Sequence, residues 1–76
     1  MKFSNYFVET RRRADRGGIE MDWIERTYLF PQKEAIQYDG RIRRWRFIDE
    51  IGKYLRVIVL EDGITIHNAF FDRSFK

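Results

Sequence analysis

The side chains of this sequence that could perform chemistry are one histidine and a large group of arginines. His67 is the only histidine, and an imidazole titrates near neutral pH, so it could act as a general acid or base. Eleven of the fifteen basic residues are arginine. Arginine presents a planar fork of donors that matches phosphate oxygens and stacks on aromatic rings. These residue types favour recognition of phosphate groups, or chemistry on them.

The arginines are concentrated in two stretches, although the net charge is only +3. The first stretch holds Arg11, Arg12, Arg13 and Arg16, and the second holds Arg41, Arg43, Arg44 and Arg46. A solvated surface explains such clusters as well as a functional one does. An acidic protein partner or a nucleic acid would also use them.

Composition limits the classes of protein that fit. Seventy-six residues make a single domain, 1–76, and the absence of cysteine excludes disulfides and thiolate metal sites. An aromatic content of 17% supplies a large buried area for so short a chain. No apolar run reaches the ~20 residues of a membrane span, so we expect no membrane contact. The absence of cysteine favours a cytoplasmic protein. Metal-ligand spacings and glycine-rich phosphate loops are missing from the sequence, so we expect no metal and no cofactor.

The start of the chain fits two local structures. A helix beginning after Ser4 or Asn5 as N-cap and ending at Gly17-Gly18 explains the helical spacing of the apolar residues. An initial strand through residue 8 also fits, because apolar residues alternate there. Residues 19–29 form a second predicted helix, which Pro31 ends.

Turn signals divide the remainder into strands. Asp39-Gly40 and Asp62-Gly63 are two-residue hairpin signals, and Gly52-Lys53 lies in a third turn. The predicted strands cover residues 33–38, 41–50, 54–61 and 64–71. The fold class is therefore α+β, with two N-terminal helices packed on one face of a four-stranded antiparallel meander sheet (α-α-β-β-β-β).

Strand register decides which side chains share a face. A three-residue turn at 51–53 pairs Glu50 with Tyr54 and places Trp45 and Val57 in the core beneath the helices. Phe47 joins that core. The opposite face then carries the candidate site residues Arg44, Arg46, Arg56 and His67, together with Ile48, Glu50, Ile58 and Phe71. Glu50 could pair with Arg56 across the strands. A slip of one residue would exchange the two faces.

Several features together resemble a known layout: the two short helices, Pro31, Asp39-Gly40-Arg41, and the strand sequences at 54–59 and 66–73. They resemble an uncharacterised family of small bacterial domains that is similar in layout to RelE/BrnT-type ribonuclease toxins. In such toxins a curved antiparallel sheet presents basic residues to RNA. Cleavage is metal-independent, with the ribose 2′-hydroxyl attacking the adjacent phosphate.

The resemblance implies roles for the arginine-rich face. His67 would transfer protons and Arg56 would stabilise the phosphorane, while Arg44 and Arg46 would bind RNA. We also expect the helical arginines Arg11 and Arg12 to contact nucleic acid. The prediction is an RNA-binding domain that could be a metal-independent endoribonuclease. The alternatives are a protein-interaction module for an acidic partner and a small domain of undefined function.

Overall fold

The computed structural model describes residues 1–12 and 18–75. Within these residues the chain forms two helices and five strands, and the predicted α+β class is confirmed. The elements in chain order are β1 (Lys2–Phe3), α1 (Asn5–Arg11), α2 (Met21–Leu29), β2 (Lys33–Ile36), β3 (Ile42–Ile48), β4 (Lys53–Val59) and β5 (Thr65–Phe71). None of the helices in the described part of the chain is long and apolar enough to cross a membrane.

The sheet is mixed rather than purely antiparallel. Its strand order is β1-β5-β4-β3-β2 over the described ranges, and β1 pairs parallel to β5 with Phe3 opposite Ile66. The prediction of four antiparallel strands is therefore wrong in detail. Two residues suffice for β1, because the N–H groups of Lys2 and Ser4 donate to carbonyls of the β5 region. So short a strand leaves no alternation in the sequence that could reveal it.

Both alternatives for the start of the chain are partly correct. The chain is extended through Phe3, and Ser4 then caps α1 by accepting a hydrogen bond from the N–H of Phe7 through Oγ, at 3.1 Å. Helix α1 ends at Arg11. The predicted end at Gly17-Gly18 falls largely outside the described residues, because Gly17 lies in the range 13–17.

The core lies between the helices and one face of the sheet, which we call the helix face. Helix α1 packs on β5, and α2 packs on β3 and β4. The core cluster consists of Phe7, Ile19, Trp23, Ile24, Ile48, Leu55, Val57, Val59, Ile66 and Ala69. Burying these side chains supplies the main stabilisation. The predicted burial of Val57 is confirmed, since it has no exposed surface.

The predicted register between β3 and β4 is wrong. Tyr54 lies opposite Phe47 rather than Glu50, a shift of three residues. The connection is a four-residue loop, 49–52, in which the N–H groups of Ile51 and Gly52 both donate to the carbonyl of Ile48. Gly52 has a φ of 66°, which favours glycine. A shift by an odd number of residues moves every β3 side chain to the other face.

The register between β4 and β5 also differs from the prediction. A two-residue loop at Asp62-Gly63 predicts that Val59 pairs with Ile66 and Ile58 with His67. The first pairing is confirmed, but Ile58 pairs with Asn68 instead. The register shift leaves His67 as the extra residue of a β-bulge. Beyond the bulge the faces are exchanged relative to the prediction, so Phe71 packs against the core cluster.

Candidate functional site

The candidate site lies on the sheet face opposite the helices, which we call the open face. Strand registers arrange its side chains in three rows across β5, β4 and β3. The rows are Asn68, Ile58 and Arg43; then Phe70, Arg56 and Trp45; then Asp72, Tyr54 and Phe47. Successive rows are about 6.7 Å apart, because side chains of one face recur every second residue.

A cleft of about 280 Å³ opens at the first row, and we call it the arginine cleft. Its lining combines three arginines, the histidine, amide side chains and aromatic rings. The lining residues are Tyr6, Gln37, Arg41, Arg43, Arg56, Ile58, His67, Asn68 and Phe70. Three guanidinium groups line this one cleft, and their positive charge attracts anions.

Arg56 is the most constrained arginine of this cleft. Its guanidinium carbon lies 4.3 Å from the centre of the Phe70 ring and 6.0 Å from that of Trp45. Nε is buried and has no hydrogen-bond partner among residues 1–12 and 18–75; Asp72 Oδ2 lies at 3.6 Å, beyond hydrogen-bonding distance. Burial lowers the pKa of Arg56, Asp72 opposes this effect, and the charge of Arg43 adds to it. A buried donor without a hydrogen-bond acceptor is costly, and the nearby charge of Asp72 offsets that cost in part.

His67 reaches the cleft because of the bulge. Its ring stacks on Tyr6 with 4.8 Å between the centroids, and Nδ1 lies 3.0 Å from Ser4 Oγ. Burial lowers the pKa of His67 below its usual 6.5, and the charge of Arg41 lowers it further. Both effects favour the neutral ring. Proton transfer to a ligand would use Nε2, because Nδ1 contacts Ser4.

The structure does not bring together all the residues that the sequence placed on one face. Arg56 and His67 share the arginine cleft. Arg44 and Arg46 lie on the helix face instead, because of the β3 register. Arg44 donates to Glu34 Oε2 at 2.7 Å and to the Tyr28 carbonyl at 2.9 Å. Arg46 donates to the carbonyl of Phe30 at 2.7 Å. Both arginines thus hold the end of α2.

Arg11 and Arg12, predicted to contact nucleic acid, belong to the end of α1. Arg11 donates to the carbonyl of Ile19 at 2.7 Å and lies 5.8 Å from the centre of the Phe7 ring. Arg12 is exposed. Neither lines the arginine cleft. The remaining arginines of that stretch, Arg13 and Arg16, lie outside the described residues.

Glu50 does not pair with Arg56. Its carboxylate accepts from Arg26 at 3.0 and 3.1 Å, and Arg26 also donates to Asp22 at 2.8 Å. The hydrogen bonds from Arg26 lower the pKa of Glu50 to about 2. This ion pair joins α2 to the β3–β4 loop, so its role is structural.

Arg41 and Arg43 line the cleft but were not predicted as site residues, although both belong to the second arginine stretch. Arg43 lies opposite Ile58, and Arg41 precedes β3 with Nε 3.7 Å from Asp39. The four-residue loop after β3 was the signal that could have found them. Counting back from that loop puts Arg43 and Trp45 on one face with Arg56.

The arrangement is suited to binding an anion that carries planar groups. Guanidinium groups supply donors for phosphate oxygens, and Phe70, Tyr54 and Phe47 supply rings beside them. In the described part of the chain, no three His, Asp or Glu side chains are grouped to hold a metal ion. Searches of protein-family models, curated proteins and solved structures found no match to this chain.

Proposed function

We propose that this domain binds single-stranded RNA on the open face, with its phosphates in the arginine cleft. The observation that carries the proposal is Arg56, which lies between the rings of Phe70 and Trp45. Its buried Nε has no hydrogen-bond acceptor in the described part of the chain, and the Asp72 carboxylate compensates it only by charge, at 3.6 Å. A phosphate oxygen that displaced the Asp72 carboxylate would supply that acceptor. Arg41 and Arg43 line the same cleft and would share the charge.

Single strands fit this surface better than duplexes. Bases of a single strand are free to stack on aromatic side chains while a positive groove follows the backbone. The open face supplies both features in adjacent rows. Arg56 lines the cleft, and the rings of Tyr54 and Phe47 form the next row of side chains. The resemblance to RelE/BrnT-type toxins points to the same substrate class.

The cleft also contains the groups for metal-independent cleavage. The 2′-hydroxyl would lose its proton to a base and attack the adjacent phosphorus, and the departing 5′-oxygen would receive a proton. A neutral His67 could accept the proton of the 2′-hydroxyl. The ring of Tyr6 stacks on His67, and its hydroxyl could donate the proton that the 5′-oxygen receives. Arg41, Arg43 and Arg56 would stabilise the charge on the phosphorane.

The binding test compares two arginines of one strand. Arg43→Gln removes a charge from the arginine cleft, and Arg46→Gln removes the same charge from the helix face. We expect only Arg43→Gln to weaken binding of a labelled single-stranded RNA and to reduce the salt slope by about 0.7 for each phosphate that it leaves without a cation. Equal effects of the two variants would refute the assignment of the site to the open face.

The cleavage test uses the same RNA with EDTA present. We expect fragments ending in cyclic phosphate, and a rate about 10²- to 10⁴-fold lower for His67→Ala at unchanged affinity. If the RNA is bound but stays intact, cleavage is refuted and the proposed function is binding alone. A domain that binds polyglutamate and ignores RNA would instead support the acidic-protein partner.

A further inference from the structure

The segment that follows β5, residues 72–75, folds back over the open face, and we call it the strap. Asp72 Oδ2 accepts a hydrogen bond from Trp45 Nε1 at 3.0 Å and lies 3.6 Å from Arg56 Nε. The Phe75 ring stacks on Trp45 with 4.9 Å between the centroids and 16° between the planes. It also meets the edge of Tyr54 at 4.7 Å. Trp45 is only 6% exposed as a result.

The strap is a compact turn rather than a strand. The carboxylate of Asp72 accepts from both the N–H and the hydroxyl of Ser74. These bonds turn the chain so that a carboxylate and a ring face the sheet together. One short segment thus places an anionic group near an arginine and a flat ring on a tryptophan. A nucleotide would place its phosphate and its base in the same way.

Space for a larger ligand exists beside the strap. A cleft of about 350 Å³ adjoins Phe75 and contains the cations Lys53 and Arg73 next to Phe47 and Tyr54. Lys53 Nζ lies 5.6 Å from the centre of the Phe71 ring. A base that displaced Phe75 could therefore remain close to positive charge.

We propose that the surface of Trp45 and Tyr54 beneath Phe75 is a nucleobase site, and that the strap is an internal competitor that occupies it when RNA is absent. The inference rests on the proposed function and adds the position of a base and the regulation of the site. On binding, the base replaces the Phe75 ring and a phosphate replaces the Asp72 carboxylate at Arg56. A protein whose competent state is only partly populated binds with an affinity reduced by that fraction.

Phe75→Ala tests the competition. If the strap is closed nine-tenths of the time, removing the ring should tighten binding of a single-stranded oligonucleotide by up to about tenfold. An abasic oligonucleotide of equal length keeps the phosphates but has no bases to stack. The difference in affinity between the two oligonucleotides should therefore be larger for Phe75→Ala than for the wild type. In a Trp23→Phe background, the emission of Trp45 should shift to the red in the Phe75→Ala protein.

Two further variants complete the test. Trp45→Ala should remove the stacking surface. It should lower the affinity for the base-bearing oligonucleotide by a factor about 5 to 150 larger than for the abasic one. Asp72→Asn should tighten both ligands, because it removes the carboxylate charge near Arg56. Circular dichroism and thermal unfolding of each variant would show that it remains folded.

The outcomes separate this inference from the function on which it rests. If both oligonucleotides bind the wild type equally and Phe75→Ala changes neither, the base site is refuted while phosphate binding stands. If Phe75→Ala weakens binding, Phe75 belongs to the binding surface and the competition is refuted. If no variant binds either ligand, the proposed function and the inference both fail.

Discussion

Replacing Ile48 by glutamine should remove a large part of this domain's free energy of unfolding, whereas the same change at its neighbour Phe47 should remove much less. Ile48 has no exposed surface and belongs to the core cluster. Losing such a side chain costs about 2–5 kcal/mol, and an unpaired amide buried in its place costs about 1–3 kcal/mol more. Phe47 lies half-buried on the open face against Tyr54, where a glutamine could reach water. We expect a loss of about 1–2 kcal/mol there.

Urea unfolding followed by circular dichroism measures both losses, provided that the m-values stay equal. A domain of 76 residues has a total stability of roughly 4–11 kcal/mol at ordinary values per residue. The Ile48→Gln variant, with a total loss of about 3–8 kcal/mol, should therefore lose most of that stability. The register expected from the sequence predicts the reverse order, since it buries Phe47 and exposes Ile48. Greater destabilisation by Phe47→Gln would refute the register of β3 and the composition of the open face.

Three further predictions concern stability and pH. Val57→Asp should unfold the domain by burying an unpaired charge, and a wild-type melting temperature would contradict this. Because burial lowers the pKa of His67 in the folded state, its contribution to stability is present above pH 6.5 and is lost as pH falls below it; NMR titration of the ring should give a value below 6.5. Glu50 has a pKa of about 2, so its contribution is present above pH 4.5 and is lost towards pH 2; Glu50→Gln should flatten urea-unfolding stability across that range.

Local chemistry explains which parts of the fold could be predicted. Helix α2 has helical spacing and ends before Pro31, and Ser4, one of the two predicted N-caps, caps α1. The faces of β4 are also as predicted, because Leu55 and Val57 alternate with the polar Arg56. In each case, the residues that decide the structure lie within a few positions of one another.

The β3 faces could not be predicted in this way, because apolar residues occur on both. Ile42 and Ile48 alternate with Trp45 and Phe47, so hydrophobic periodicity alone does not choose between them. The three-residue turn predicted at 51–53 therefore decided the faces, and it placed the aromatic rings on the wrong side. Two tertiary interactions decide the matter: Ile48 packs beneath the helices, and Phe75, thirty positions along the chain from Trp45, covers the tryptophan from the other side.

The site was predicted in part for the same reason. His67 and Arg56 do share a cleft. The position of His67 depends on a β-bulge, and the sequence has no turn residue there that would predict one. An extra residue in β5 keeps Ile66 in the core and still lets Phe70 stack on Arg56. Periodicity through the strand cannot reveal a residue that interrupts it.

The arginines of the second stretch are divided by the pleat of β3 into two groups with different physical tasks. Arg44 and Arg46 donate to the carbonyls of Tyr28 and Phe30 at the end of α2, where a positive charge is favourable to the helix dipole and the last carbonyls lack helical partners. Arg43 lies on the other face, in the cleft with Arg56. Net charge and clustering treat all these arginines alike, so they predict a basic surface but cannot say which cations are committed to the fold. The strand register makes that distinction. Arg44 and Arg46 are bound to the end of α2, whereas in the described part of the chain the arginines of the open face make no such contact with a helix end and are the ones that a phosphate ligand would contact.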